Sequence, residues 1–303
     1  MIDFQTLDLA SKEQIDRCLM HCGERGCEYN FANLFLWGRQ KAALHEGNLA
    51  FFCQFNRRSV YLFPIGAGDP KAAIDTIIED AATRGIPCRL TGLLQEDCAL
   101  LEQLYPGRFR YHFDRDSFDY VYDINDLADL KGRKFQKKRN HLNRFRQNNP
   151  ETRLEPVTEE NVPVVREFVK KWYEIRLAEN PHADYLMEQA AIEKALRHWR
   201  ELSMEGLLLR DGQTTLAFAM GSLLSSDTFD IHFEKAREDV DGAYNAVNAE
   251  FARYLRLKYP DVCYLNREDD VGLEGLHKAK LSYHPDHMVE KHWAYLTEEI
   301  YED

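Results

Sequence analysis

Residues 152–295 alternate short strand-like runs with longer helical ones, and the order of that alternation admits few topologies. Strands are expected at 152–156, 207–210, 214–224, 228–235, 262–266 and 287–295. Helices are expected at 158–177, opened by Thr158-Glu159-Glu160, and at 184–202, 242–259 and 272–281. Asp211-Gly212 supplies a hairpin turn. The succession is therefore β-α-α-β-β-β-α-β-α-β. Strands joined by tight turns pair antiparallel, whereas strands joined through a helix return parallel. An α/β (α+β) fold follows, with a mixed, mostly antiparallel sheet flanked by helices.

The first half repeats this style less regularly. It should hold helices at 11–21, from a Ser11 cap, and at 30–37, then a hairpin over 41–55 turning at Glu46-Gly47-Asn48. After a strand at 59–63, Asp69 and Pro70 open a helix in the N-cap, N1 arrangement and Gly85 ends it. A strand at 87–91, a helix at 96–104 and strands at 108–114 and 118–123 complete the unit. A chain of 303 residues, 44% hydrophobic and 12% aromatic, can fill two cores. The expected division is 1–130, a basic linker helix at 131–150, and 151–303.

That linker carries the most uneven charge in the chain. Residues 131–149 hold eight Lys/Arg and no Asp or Glu, although the protein's formal net charge is −12. Like charges gathered in an acidic protein repel one another unless an anion is present. Phe135, Leu142 and Phe145 form a narrow apolar stripe, and Lys134, Lys137, Lys138, Arg139, Arg144 and Arg146 occupy the other faces. The pattern fits a helix docked by its aromatics that shows a cationic face to a phosphate-bearing ligand; a solvated helix between domains fits it too.

Several classes are excluded. No apolar run approaches the ~20 residues that span a bilayer. MIDFQTLDLASKEQ lacks the basic and apolar regions of a secretory signal, so a cytoplasmic protein is expected. Seven cysteines in such a chain argue against a disulfide framework. Cys18, Cys22 and Cys27 with His21 form the one cluster, without paired C-x-x-C knuckles, and no metal is expected. H-E-x-x-H, Walker, G-x-G-x-x-G and G-x-S-x-G motifs are absent. His182 and His232 are isolated in sequence and read as loop or core histidines.

The succession resembles the GNAT acyltransferase fold, with the first half like a truncated or diverged copy. The segments NLFLW, FQKKRNHLNRFRQ, FEKA, DGAYNAVNAEFA and YLNREDDVGLEGLHKAKLSYHP are similar to one bacterial group. These are proteins akin to the carboxyl-terminal domain of phosphatidylglycerol lysyltransferase, and the similarity spans nearly the whole chain. It implies two tandem GNAT-like domains and, by analogy with aminoacyl-tRNA-dependent transferases, transfer of an acyl or aminoacyl group. The donor would be aminoacyl-tRNA or acyl-CoA, and the acceptor an amine or hydroxyl on a small molecule, peptide or lipid headgroup. Fold analogy alone sets no activity.

Three constellations could carry that chemistry. Glu234 ends one strand, and Asp239, Asp241 and Gly242 precede a helix whose free N–H groups could seat an anion. Acids there would repel a pyrophosphate and suit a substrate amine, or Asp241 simply caps the helix. Asn245 and Asn248 follow one turn apart. Next, Asn266-Arg267-Glu268-Asp269-Asp270 leaves a strand at the end where α/β folds build sites. Glu268 is the favoured proton acceptor, because capping explains Asp269 and Asp270. Last, Lys278 and Lys280, which cannot share a helix face, precede Tyr283. A lysine there could stabilise an oxyanion and Tyr283 could protonate a leaving hydroxyl. Lys137, Lys138, Arg139, Asn140 and Arg144 would bind the donor's phosphates. Competing readings are an acyl-CoA-dependent N-acetyltransferase and a non-catalytic binding module on the same scaffold.

Overall fold

The computed structural model describes residues 1–20, 22–38, 40–55, 58–182 and 185–297, so His21 and Asp184 lie outside the described residues. Two compact units emerge. The first comprises Met1–Asp119, Asp269–Gly272 and Met288–Asp303; the second comprises Tyr120–Glu268 and Leu273–His287.

The sheet of the first unit runs, edge to edge, Gln5–Thr6, Lys41–His45, Asn48–Phe55, Arg58–Leu62, Arg89–Leu93, His292–Leu296, Phe109–Phe113. Only the Arg58–Leu62 and Arg89–Leu93 step is parallel in that path. Helix Pro70–Arg84 starts where Asp69 accepts from the Lys71 N–H and stops at Gly85, in the left-handed region at φ 65°. Ile74, Ile77 and Ala81 from this helix meet Phe4, Tyr61, Leu90 and Leu296 in the core. The expected final strand at 287–295 is two strands, His287–Val289 and His292–Leu296, and the latter completes this first sheet. Ser11 does not cap its helix: its hydroxyl donates back to the Asp8 carbonyl at 2.7 Å.

The sheet of the second unit includes, in order, Asp119–Asp123, Tyr264–Asn266, Thr228–Ala236, Thr214–Leu223, Glu205–Asp211 and Arg153–Pro156. All pairs are antiparallel except Thr228–Ala236 with Tyr264–Asn266. Strand Thr214–Leu223 is buried at every position but its ends, as expected for a central strand covered on both faces. Helix Ala243–Lys258 lays Ala246, Val247, Ala249, Phe251, Ala252 and Leu255 into the core. The basic segment is a 3-10 turn, Arg133–Phe135, followed by helix Gln136–Asn148, with Phe135, Leu142 and Phe145 buried as the stripe predicts. This helix crosses the start of Ala243–Lys258 closely. A Cβ on Gly242 would stand 2.5 Å from the His141 carbonyl oxygen, and Gly242 sits at φ 80°, so no other residue fits there without strain. A short helix that patterning does not reveal, Ile124–Asp129, starts from an Asp123 cap.

Candidate functional site

Among the described pairs of the second unit, the parallel one separates early. Thr228, Phe229 and Asp230 register with Tyr264, Leu265 and Asn266, after which Thr228–Ala236 runs on paired with Thr214–Leu223 on its other side. Its other side carries a bulge: Met220 pairs with Phe233 but Ser222 with Asp230, leaving Ile231 and His232 opposite Gly221. A bulge redirects side chains. Here the fully buried His232 ring lies between Ser222 Oγ, 2.9 Å from Nε2, and Glu268 Oε1, 3.1 Å from Nδ1, with Asp230 Oδ2 at 3.5 Å.

Arg267 is the hub on the other lip of the gap. Its Nε and Nη2 donate to Glu234 Oε2 at 3.0 and 2.6 Å. Its guanidinium carbon stands 5.6 Å from the Tyr122 ring centroid and 5.1 Å from that of Tyr283. Burial opposes the charge on Arg267, but Glu234 prevails and holds its pKa above the ordinary arginine value. Arg267 Nη1 and Glu234 Oε1 are both buried and have no hydrogen-bond partner among the described residues. Asn248, 2% exposed, leaves both its amide atoms in the same condition. Buried polar groups are nearly always paired, so the unpartnered atoms of the Arg267–Glu234 pair call for an explanation.

Tyr283 joins this hub to two other elements. Asn245 Nδ2 donates to its hydroxyl at 2.8 Å, and Lys138 Nζ stands 3.7 Å from its ring centroid. Burial pushes the Tyr283 hydroxyl up to about 12, although Arg267 pulls it back. Burial, helped by the like charge of Arg267, lowers Lys138 to about 8. Lys280, also buried, donates from Nζ to the carbonyl oxygens of Arg267 and Glu268 at 2.5 and 3.1 Å, while the Tyr122 hydroxyl donates to the Lys280 carbonyl at 2.9 Å. Asn266 accepts from the Glu268 N–H at 2.7 Å. Together they hold Glu268 at φ 56°, a strained conformation for a glutamate.

The remaining expected site residues fall elsewhere. Lys278 is exposed and pairs with Glu274 one turn away. Asp269 and Asp270 belong to the first unit, where Asp270 accepts from the Gly272 N–H as a turn cap. On the basic helix, Arg144 pairs with Asp241 at 2.7 Å and Arg146 with Glu250 at 2.6 Å. Lys134 pairs with Asp126, and Arg139 donates to the carbonyls of Leu130 and Gly132. The uniformly cationic face expected from sequence is thus largely neutralised from within. No ion pair among the described residues reaches Arg133 or Lys137, which are exposed, as is Asn140.

Arg267, His232, Ser222 and Tyr122 were not among the expected residues. Arg267 alone had a local signal, as the one cation between Asn266 and three acids. A cavity of about 900 Å³ is lined by Trp172, Arg176, Arg210, Arg237 and Asp239, among others. Arg237 there pairs with Asp239, and Arg176 with Glu179 and Glu238; Arg210 Nε is buried without a partner among the described residues, whereas at the gap both members of one buried ion pair, Arg267 and Glu234, keep such an atom. No helix among the described residues is long and apolar enough to cross a membrane.

The family model described as phosphatidylglycerol lysyltransferase, C-terminal, matches residues 21–295. A crystal structure of a conserved protein of unknown function from Bacteroides thetaiotaomicron is 35% identical, with TM-score 0.93, covering 98% of this chain and 100% of that one. The C-terminal domain of a putative lysylphosphatidylglycerol synthetase from Agrobacterium fabrum shares the fold at TM-score 0.66 and 16% identity, covering 94% and 92%. So does a tandem GNAT protein from the clavulanic acid biosynthesis pathway, at TM-score 0.50 and 8% identity, covering 97% and 98%. A curated relative, an uncharacterized protein of Mycoplasmoides gallisepticum, is 25% identical over 180 residues, 58% of this chain and 55% of the relative, so the match spans about half of that protein. The expected tandem GNAT-like fold is what the structure has, and family and fold support aminoacyl or acyl transfer of the GNAT type. With a family model covering nearly its whole length and a full-length relative at 35% identity, the chain belongs to the phosphatidylglycerol lysyltransferase C-terminal family.

Proposed function

We propose that the second unit transfers an aminoacyl group from aminoacyl-tRNA to an amine or hydroxyl acceptor at the gap between Thr228–Ala236 and Tyr264–Asn266. The observation that carries this reading is the buried Arg267–Glu234 pair, each member of which keeps one polar atom unpartnered. A guanidinium N–H suits an ester carbonyl as it gains negative charge, and a carboxylate oxygen suits an amino group. Asn245 fixes the Tyr283 hydroxyl, the proposed proton donor to a leaving oxygen, and Glu268, backed by His232, binds an amine acceptor's ammonium and accepts the first proton, the one whose loss makes it nucleophilic. Lys280 shapes the loop that presents Arg267 and Glu268. Lys278, Asp269 and Asp270 have no part in the proposed chemistry.

Acyl-CoA fits less well. Asp239 and Asp241 flank the start of helix Ala243–Lys258, where a pyrophosphate would need free N–H groups and no nearby negative charge. The polyanion contact narrows to Arg133, Lys137 and Asn140. Aminoacyl-tRNA binding should weaken with salt, and Arg133→Ala/Lys137→Ala should lower the slope of log affinity against log salt by about 1–2. Arg139 is left intact in this test because its loss would free two backbone carbonyls. Fluorescence-monitored binding of charged tRNA across salt concentrations, with acetyl-CoA as the rival ligand, decides the matter. Binding of acetyl-CoA with no salt-sensitive tRNA binding would sink the proposal.

A further inference from the structure

The structure assigns Lys138 a second role: we infer that its amine takes the proton of the attacking group and returns it to the leaving oxygen. The inference rests on the transfer reaction proposed above. Its basis is the setting of this lysine against that of its neighbours. Lys131, Lys134, Arg144 and Arg146 each meet a carboxylate, and Arg139 meets two carbonyls. Lys137 is exposed to water. Lys138 is instead drawn half-buried over the face of Tyr283, and no ion pair among the described residues reaches it.

The groups facing it are the Tyr283 ring and, on the loop behind, the Arg267 guanidinium, whose own charge is matched by Glu234. The titratable residues one turn away along the chain are Lys134, in the preceding 3-10 turn, and His141 on the same helix. An aromatic face stabilises an ammonium modestly, by about 0.5–2 kcal/mol. Loss of hydration and a neighbouring cation work the other way, and they win: the amine titrates at about 8. Lysine loses its proton readily when buried, which suits it to work as a base near neutrality. Tyr283 lies with its ring face against the same amine, and burial keeps its hydroxyl, at the edge of that ring, protonated.

The step balances without a further reactant. Neutral Lys138 accepts the proton as the acceptor's nitrogen or oxygen attacks the ester carbonyl carbon. The new C–N or C–O bond replaces the bond to the 3′-oxygen of the donor. That oxygen then takes a proton, directly from the Lys138 ammonium or through the Tyr283 hydroxyl, and Lys138 is neutral again.

Two measurements on the full chain test this. Trace labelling with acetic anhydride between pH 6 and 10, read by mass spectrometry, should give Lys138 a midpoint near 8. A lysine in an unstructured peptide titrates at about 10.4. Lys138→Arg preserves the positive charge but cannot be deprotonated. Ester loss from aminoacyl-tRNA, with ethanolamine as the probe acceptor, should slow about 100-fold or more in this variant, with tRNA affinity unchanged. A Lys138 midpoint at the unstructured-peptide value of about 10.4, or a Lys138→Arg rate within about threefold of wild type, overturns the role of Lys138 alone. A wild-type protein that transfers nothing from any charged tRNA overturns the transfer reaction, and this role with it.

Discussion

Glu234→Ala is expected to destabilise the second unit by about 3–5 kcal/mol, the cost of leaving one partner of a buried ion pair without the other. Both partners are deeply placed, Arg267 with 15% and Glu234 with 10% of the side chain exposed. The stranded guanidinium would keep only the rings of Tyr122 and Tyr283, which offset a small part of the loss. A fall in melting temperature on the order of 10 °C follows for a unit of this size. The double change Arg267→Met/Glu234→Leu behaves differently, because replacing a whole buried pair by apolar side chains of similar volume is close to neutral. Calorimetry of the single and double variants checks both statements. A single variant that melts within a degree or two of wild type would mean that water, not Glu234, balances Arg267.

Lys291→Met should cost the first unit a comparable amount, with a pH dependence of its own. Lys291 Nζ is buried and lies 2.7 Å from Asp119 Oδ1 and 3.1 Å from Glu28 Oε2, with the Cys27 thiol at 3.8 Å. These three residues have the donors and spacing to hold a metal ion, but the lysine ammonium supplies the cation. Burial disfavours that ammonium, yet Asp119, Cys27 and Glu28 outweigh it and its pKa is raised well above 10.5. A group raised in the folded state contributes its full stability below its unfolded pKa, about 10.4, and loses it only at higher pH. In wild type the contribution is therefore constant across neutrality. In Lys291→Met the two carboxylates face each other without a cation, and the folded state then binds protons more readily than the unfolded one. The variant should lose about 3–5 kcal/mol at pH 8 and recover part of it as pH falls towards 5. Urea midpoints at pH 8, 6.5 and 5 read this directly. A deficit that grows on acidification would show that the carboxylates are not what Lys291 balances.

How far the fold could be read from sequence depends on how local its causes are. Asp69-Pro70 and Gly85 delimit a helix because caps act within one turn, and that helix stands where it was expected. The apolar stripe of Phe135, Leu142 and Phe145 was legible for the same reason. The partners of the basic helix were not. Asp126 lies eight residues before Lys134, but Asp241 and Glu250 lie 97 and 104 residues after Arg144 and Arg146. Charge counting along a segment cannot see such neutralisation.

The same limit governs the site. Tyr283, Asn245, Lys280 and Glu234 were named from their places near strand ends and helix starts, and the structure gathers them around Arg267. Arg267 carries no such signal beyond its place between Asn266 and three acids, because its partner Glu234 lies 33 residues away. His232 looked isolated because Glu268, which it contacts, is 36 residues away, and because the bulge opposite Gly221 that aims it has no local signature. A Cβ on Gly221 would fall 1.9 Å from the Asp230 carbonyl oxygen, so the bulge depends on that glycine. Asn248 shows the converse. It was singled out as an amide beside a core, and its 2% exposure without a partner gives that expectation a physical form.

Transfer at the gap in the second sheet is the statement from which the other roles derive. Its most direct test is binding of an acceptor-stem RNA carrying a non-hydrolysable 3′-aminoacyl amide, followed by titration calorimetry. Wild type and Arg267→Met/Glu234→Leu would be compared once their melting curves coincide. Loss of the two unpartnered atoms should weaken binding at least tenfold, with little change in affinity for the uncharged RNA. Equal affinity of both proteins for the aminoacylated stem would contradict the placement of the aminoacyl group at Arg267 and Glu234.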